Sequence, residues 1–268
     1  MTSPDASRPS LDRALLQARA PAWTSVEVVD QASSTNALVA SRAAAGAPEG
    51  LVVVADHQTA GRGRLDRTWV TPPGAALTFS VLLRPQVADE RWPWLPLLAG
   101  VALVDAVEDA GGPPCVLKWP NDLLYDDRKL AGLLVERVAS PQGPAAVLGI
   151  GLNVSTSEAE LPVPGAGSLA TAGWPGLDRS RLLVAILDVL GRRLRRWVRD
   201  AGDPRRGLLE DYSARCGTVG RQVRVELPAG ETLVGVATGI GEDGGLLVDA
   251  GDRTVPVSAG DVIHVRSV

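Results

Sequence analysis

Asp56 to Trp69 reads DHQTAGRGRLDRTW and directly follows the apolar run Leu51-Val52-Val53-Val54-Ala55. Five consecutive apolar residues predict a buried strand. The stretch behind them has no apolar period and predicts a loop. In it Gly61 and Gly63 alternate with Arg62 and Arg64, and Arg67 follows. Glycine lets the main chain reach positive φ and lets a ligand approach closely. Arginine offers a planar fork that matches carboxylate and phosphate oxygens. A strand that empties into such a loop predicts an anion clamp, although a Gly/Arg turn can also be a solvated surface loop. Gln58 and Thr59 ahead of the clamp, with an amide and a hydroxyl, favour the first reading. So does Trp69 behind it, whose apolar face can cover a ring while its N–H donates one hydrogen bond.

The composition sets the frame for that clamp. The 268 residues are 45% hydrophobic and 22% charged, enough for one large domain and a small one. A net charge of −4 and a pI near 5.3, with no basic stripe, argue against a nucleic-acid footprint. No apolar run approaches the roughly 18 residues of a membrane span. The polar start MTSPDASRPS lacks the core of a signal peptide and predicts a tail. Cys115 and Cys216 make no CxxC pair, so a reduced, cytoplasmic setting is expected. His57 and His264 are the only histidines, too few for a zinc cluster, and no metal-ligating residues are expected.

Outward from the clamp the elements follow in order. Ser10 predicts an N-cap for a short helix with Leu11, Leu15 and Leu16, ending before Pro21. Thr24 to Val29 predicts a strand, and Ser33 or Ser34 caps an alanine-rich helix to about Ala45. Ala75 to Leu83 is a strand stopped by Arg84-Pro85. Trp92 to Ala110 is a helix with Leu95, Leu98, Ala99, Ala102, Leu103 and Ala106 on one face, ended by Gly111-Gly112. Cys115 to Trp119 and Leu130 to Val138 form a hairpin through turns at Pro120-Asn121-Asp122 and Asp126-Asp127. Ala145 to Val154 is nearly all apolar and therefore a central strand, ending at Gly151-Leu152-Asn153. Ser155 to Gly176 is Pro- and Gly-rich and predicts a loop with one helical turn. Arg179 to Val198 is a helix with Leu182, Leu183, Ile186, Leu190, Leu194 and Trp197 buried; Arg192, Arg193, Arg195 and Arg196 form its solvated face. Leu208 to Ala214 is the last helix. Beyond Arg221 short alternating runs at even spacing, the last at Val262 to Val265, predict a small β-barrel.

Four motifs occur in a fixed order: Ser34-Thr35-Asn36, Gln58 to Arg64, Lys118-Trp119-Pro120-Asn121-Asp122 and Lys129-Leu130-Ala131-Gly132. From about Trp23 onward this set resembles the biotin protein ligase family, which joins biotin to carrier proteins. The resemblance implies an α+β fold: a mixed β-sheet with flanking helices, like the catalytic domain of class II aminoacyl-tRNA synthetases, followed by an SH3-like barrel. The expected divisions are 1–20 as tail and short helix, 21–217 as the catalytic domain that binds biotin and ATP, and 218–268 as the barrel. The short first segment leaves no room for the DNA-binding domain that some members carry, so no repressor role is expected.

The implied chemistry has two steps. Biotin carboxylate attacks the α-phosphorus of ATP to give biotinyl-AMP and pyrophosphate, and a carrier lysine then attacks the mixed anhydride. Fixed cations and backbone N–H groups would stabilise the charge that gathers on the α-phosphate, and Mg²⁺ would bridge phosphate oxygens, held mostly by substrate and water. The resemblance places Arg64 and Lys129 at the carboxylate–phosphate junction and Asp122 near the incoming amine, to orient or deprotonate it. Ser34, Thr35, Asn36, Gln58, Arg62, Gly63 and Gly132 join Arg64 and Lys129 around biotin. Ser34, Thr35 and Asn36 could equally serve as a helix cap alone. Arg64, Arg67, Trp69, Asn121 and Asn153 are expected around the nucleotide, Asn153 at the adenine; Asn121 is either a phosphate neighbour or a turn residue. The sequence departs from the family where any residue, glycine and arginine usually follow GRGR. Here Leu65-Asp66-Arg67 follows, which restricts φ and adds a negative charge near the phosphates.

The expected partner is a biotin carboxyl carrier protein or domain, with no DNA, no membrane, and a monomer or weak homodimer. A lipoate–protein ligase is the nearest alternative, and the GRGR loop favours biotin. A binding module built on the barrel is the alternative from another class, disfavoured by the acidic balance.

Overall fold

The computed structural model describes residues 8–20, 22–65, 67–227, 231–258 and 261–264. Asp66, the sequence departure noted above, lies outside the described residues, as does Val265. The elements are α1 (Arg13–Arg19), β1 (Ser25–Ala32), α2 (Thr35–Ala44), β2 (Leu51–Gln58), β3 (Gly61–Arg62), β4 (Thr68–Trp69), β5 (Ala76–Leu83), α3 (Trp94–Asp109), β6 (Val116–Lys118), β7 (Asp122–Tyr125), β8 (Arg128–Val138), β9 (Ala145–Asn153), α4 (Arg179–Arg199), α5 (Leu208–Arg215), β10 (Gln222–Glu226), β11 (Thr232–Ile240), β12 (Leu246–Asp249), β13 (Thr254–Val257) and β14 (Asp261–His264).

Seven strands form one sheet in the order β1-β2-β5-β9-β8-β7-β6. β1 pairs with β2 in parallel and every other pair is antiparallel, so the sheet is mixed as expected. The strand β9, apolar up to Asn153, takes the middle place of the seven, with both faces of the sheet packed at its Ala145 end. One face packs Val52, Val54, Leu77, Phe79, Val81, Leu148 and Leu152 against α3 and α4. The helix α3 is buried on more sides than the predicted face, with Leu97, Val101, Val104 and Val107 also inside, because α4 lies across it. On the other face α2 sets Val39 and Ala43 onto Leu51, Val53, Leu82, Ala145 and Val147. Helix α2 covers only half of that face, and the uncovered half carries small and polar residues.

Four sequence expectations are corrected. Segments 115–119 and 130–138 are not direct hairpin partners: β7, beginning at Asp122, lies between them and pairs with both β6 and β8. Asp12, not Ser10, caps α1: its carboxylate accepts from Leu15 N at 2.9 Å while its own N–H is held by Ser180 Oγ at 2.9 Å. Both residue types cap well, and the tertiary contact decides between them. Asp56 to Trp69 is not one loop. Asp56 to Gln58 continue β2, and β3 pairs with β4 as a short hairpin, Gly61 opposite Trp69. Arg193 does not lie on a solvated face: it joins Asp105 of α3 at 2.5 Å and Asp211 of α5 at 2.7 Å, and Arg215 completes the group on Asp105 at 2.8 Å.

Arg179, at the start of α4, is nearly fully buried and donates to Asp56 Oδ1 at 2.7 Å, Pro9 O at 2.7 Å and Ala76 O at 3.2 Å. It fastens the N-terminal segment and α4 to the end of β2. Arg179→Ala would strand the Asp56 carboxylate and is expected to cost about 3–5 kcal/mol, lowering Tm by roughly 10 °C. Calorimetry of the variant checks this; an unchanged Tm would contradict it.

The remaining strands form a five-stranded antiparallel sheet, β13-β12-β11-β10-β14. It meets α3 and the end of β6 through two indoles. Trp94 Nε1 donates to Glu242 O at 2.8 Å and Trp119 Nε1 to Gly244 O at 2.9 Å. Arg221 adds an ion pair to Asp127, in the β7–β8 turn, at 2.7 Å. Burial and the neighbouring Lys118 and Arg221 charges hold the His264 imidazole down at about 4, so this junction packs around a neutral ring.

Candidate active site

Strand register explains where the site lies. Val29, Ala55, Thr78, Gly151, Gly132, Asp122 and Lys118 are successive cross-strand partners across all seven strands. Directly paired residues share a face. This row therefore runs over the half of the sheet that α2 leaves uncovered. The next row, Val53, Ser80, Gly149 and Leu134, runs beside it toward α2. Glycines and a serine stand where a covering helix would need large apolar side chains, and a cavity of about 690 Å³ opens above them.

Every site residue predicted from the sequence lines that cavity: Ser34, Thr35, Asn36, Gln58, Arg62, Gly63, Arg64, Arg67, Trp69, Asn121, Asp122, Lys129, Gly132 and Asn153. Four separate segments thus converge on one place. The polar pit at the inner end forms where α2 begins. Ser34 Oγ caps the helix, accepting from Ala37 N at 3.4 Å. Gln58 Oε1 accepts from Thr35 N at 2.8 Å and from Thr35 Oγ1 at 3.1 Å. Ser80 Oγ lies 2.7 Å from Thr35 Oγ1 and 2.6 Å from Asn36 Oδ1. The hydroxyls can rotate, so the group offers donors and acceptors within a few ångströms.

The outer end is cationic. Lys129 reaches it through a bulge. Asp122 pairs with Gly132 and Leu123 with Ala131, but Leu124 pairs with Lys129, so Leu130 is the extra residue. Without the bulge Lys129 would share the face of Ala131 and point into the core. The bulge re-aims it and leaves Leu130 and Ala131 both buried. Asp126 and Asp127, at φ 49° and 56°, make the turn before it. Lys129 Nζ then lies 2.7 Å from Asp122 Oδ1 and 5.8 Å from the centroid of the Trp69 ring. The carboxylate contact is an ion pair off the line of a good hydrogen bond. Arg64 Nη1 donates to Asn121 Oδ1 at 3.4 Å, and Asn121 Nδ2 to Leu133 O at 2.8 Å. Asn121 is therefore both a turn brace and a neighbour of the arginine.

Trp69 lies flat over the glycines. A Cβ added to Gly151 would stand 2.6 Å from its Cε2, and one added to Gly132 3.4 Å from its Cζ3. Its Nε1 is buried and has no hydrogen-bond partner among the described residues. Gly61 is needed within the protein, since a Cβ there would meet Gln58 Nε2 and Trp69 O at 2.4 Å. Gly63 has room, with nothing nearer than 3.5 Å. Asn153 Nδ2 donates to Gly167 O at 2.8 Å, tying down the segment whose residues 162–166 form one wall. Lys129 grips the same segment by its backbone, N to Gly165 O at 2.7 Å.

Sequence reasoning missed Ser80, Gly149, Gly151, Lys118 and the wall at 162–166. The alternation Gly149, Gly151, Asn153 was visible in the stretch Gly149-Ile150-Gly151-Leu152-Asn153, and a period of two with two glycines on one face is a strand signal for close approach. The wall lay inside the expected loop, where no periodicity marks a residue.

This geometry has counterparts among known proteins. Residues 28–153 match the biotin/lipoate A/B protein ligase family, and residues 218–265 match the biotin protein ligase C terminal domain. The chain is 44% identical to a biotin--[acetyl-CoA-carboxylase] ligase of Mycobacterium tuberculosis, over 99% of this chain and 100% of that protein. It is 35% identical to the bifunctional ligase/repressor BirA of Bacillus subtilis, over 87% of this chain and 72% of that protein. Among solved structures it resembles a biotin protein ligase from Aquifex aeolicus in complex with biotin and ATP, with a TM-score of 0.76 and 25% identity over 91% of this chain and 100% of that one.

Proposed function

This chain belongs to the biotin protein ligase family, and from that premise we propose how its own residues divide the work. The protein activates biotin with ATP to biotinyl-5′-AMP and then transfers biotin to a lysine of a biotin carboxyl carrier protein. The observation that carries this reading is the convergence of a small polar pit and two cations on one cavity.

In this reading the pit of Thr35, Asn36, Ser80 and Gln58 takes the ureido ring, which needs both donors and acceptors in a confined space. Leu134, paired with Gly149 on the cavity face of the sheet, supplies apolar wall for the bicyclic body. The carboxylate then points outward to Lys129 and Arg64. There it meets the α-phosphate, and the two fixed positive charges stabilise the charge that builds as they join. Trp69, with its unpartnered N–H, and the 162–166 wall flank the nucleotide. Gly63 carries no side chain to crowd a ligand, while its N–H donates to Arg67 O at 2.7 Å and holds the clamp in shape. Asp122 positions the carrier amine in the second step, since a carboxylate does not ease deprotonation of an ammonium group. The boundaries 21–217 and 218–268 divide the catalytic unit from the barrel.

Among the described residues no group of three or more His, Cys, Asp or Glu side chains is placed to hold a metal ion. A protein cage for Mg²⁺ does not fit; the ion would arrive on the nucleotide, held by phosphate oxygens and water. Among the described residues no helix is long and apolar enough to cross a membrane.

The polar character of the pit also separates this reading from lipoate. A dithiolane ring has no N–H or C=O to meet Thr35 and Asn36, and would gain none of the polar contacts that a cyclic urea makes there. ATP–pyrophosphate exchange is expected to depend on biotin and to stay at background with lipoate. Exchange driven by lipoate instead would overturn the assignment.

A further inference from the structure

The third row of the sheet, Leu82, Val147 and Glu136, lies at the edge of the α2 footprint, and Glu136 is its one charged member. Glu136 Oε2 accepts from Asn36 Nδ2 at 2.6 Å. We propose that Glu136 is a positioning residue that fixes which end of the Asn36 amide faces the pit, and so sets the hydrogen-bonding polarity the site demands of its ligand. The inference rests on the ligase reading above and deepens it.

The two ends of a carboxamide have nearly the same shape, so only their partners decide the orientation. A carboxylate has acceptors alone, so Glu136 must be met by the NH₂ group. The Oδ1 atom is then turned to Ser80 Oγ, at 2.6 Å. It also lies directly over Gly149, where an added Cβ would stand only 2.1 Å from it. Asn36 is buried, so its amide has no solvent to turn toward. The pit therefore presents a fixed acceptor and favours a ligand group that carries an N–H donor, as a cyclic urea does. Glu136 also stands 3.5 Å from Arg62 Nη2. That arginine is half exposed, so this pair contributes little, and the Asn36 contact is the one that acts.

Glu136→Gln keeps the shape but offers an amide that can donate or accept, which frees Asn36 to turn over. In biotin-dependent ATP–pyrophosphate exchange, biotin KM is expected to rise about 10–100-fold. The ATP KM and the rate at saturating biotin should stay within about threefold, the pattern of a lost ground-state contact. The pair can also be reversed. In Asn36→Asp/Glu136→Gln the glutamine donates to the aspartate, whose second oxygen remains an acceptor toward the pit. Biotin KM should recover most of its loss, whereas Asn36→Asp alone sets two carboxylates face to face and should stay impaired. An unchanged biotin KM in Glu136→Gln would overturn the inference. So would a parallel rise in ATP KM with a fall in rate, or a double variant no better than Glu136→Gln. If the unaltered protein shows no biotin-dependent exchange, the ligase reading itself fails and this inference with it; exchange that is normal but insensitive to Glu136 removes the inference alone.

Discussion

Lys129→Ala is expected to slow adenylate formation by about 10²–10³-fold while the protein stays folded. Removing one preorganised group that meets developing charge costs on the order of 3 kcal/mol in the barrier. The loss should fall on the rate, because the charge on the α-phosphate grows between ground and transition state. Lys129 suits that task by placement as well as type. The bulge at Leu130 turns it into the cavity, the backbone bond to Gly165 O at 2.7 Å braces it, and the Asp122 ion pair at 2.7 Å aims its ammonium group. Lys129 is 36% exposed, but Asp122 is only 16% exposed and loses its ion-pair partner, so melting should fall modestly while the protein stays folded. Lys129→Arg is not expected to rescue fully, since a planar fork cannot replace a compact point charge in the same space. Single-turnover formation of biotinyl-AMP from ATP and biotin checks this. A loss below about tenfold would show that Lys129 is an ordinary surface lysine beside Arg128.

Gly149→Ala is expected to raise biotin KM by at least about 100-fold, the scale on which a displacement near 1 Å costs function. A Cβ at Gly149 would stand 2.1 Å from Asn36 Oδ1, and Asn36 cannot retreat without leaving both Ser80 and Glu136. The same methyl group would fill the floor of the pit. Stability should also fall, by about 1–3 kcal/mol for the crowding, partly offset because alanine is less costly than glycine within a strand. Calorimetric titration with biotin, beside a melting curve, separates the two effects. Normal biotin binding by a well-folded Gly149→Ala protein would place the ring elsewhere in the cavity.

Much of the fold was legible because its elements are strongly patterned. The apolar run Ala145–Asn153 could only be a central strand, and the stripe from Leu182 to Trp197 could only be a buried helix face. The candidate site was legible to the extent that it is carried by local motifs, and all residues predicted for it line one cavity. What escaped depends on register and tertiary contact. Nothing in Arg128-Lys129-Leu130 signals that one residue is extra on its strand, yet that extra residue decides whether Lys129 faces core or cavity. Gly149 and Gly151 gain meaning only once Asn36 and Trp69 lie over them. Glu136 carries no local signal, because its partner stands 100 residues away. The misassigned cap at Ser10 and the misplaced Arg193 share this cause: the local signal was ambiguous and a distant side chain settled it, Ser180 in one case and Asp105 in the other.

The most direct measurement is transfer of tritiated biotin to a purified carboxyl carrier domain by the unaltered protein, Arg64→Ala and Lys129→Ala, with biotin and ATP saturating. Two cations from separate segments acting on one carboxyl–phosphoryl contact require label on the carrier with the unaltered protein and a loss of about 10² or more in each variant. Full transfer by both variants, or no transfer by the unaltered protein, would contradict that arrangement.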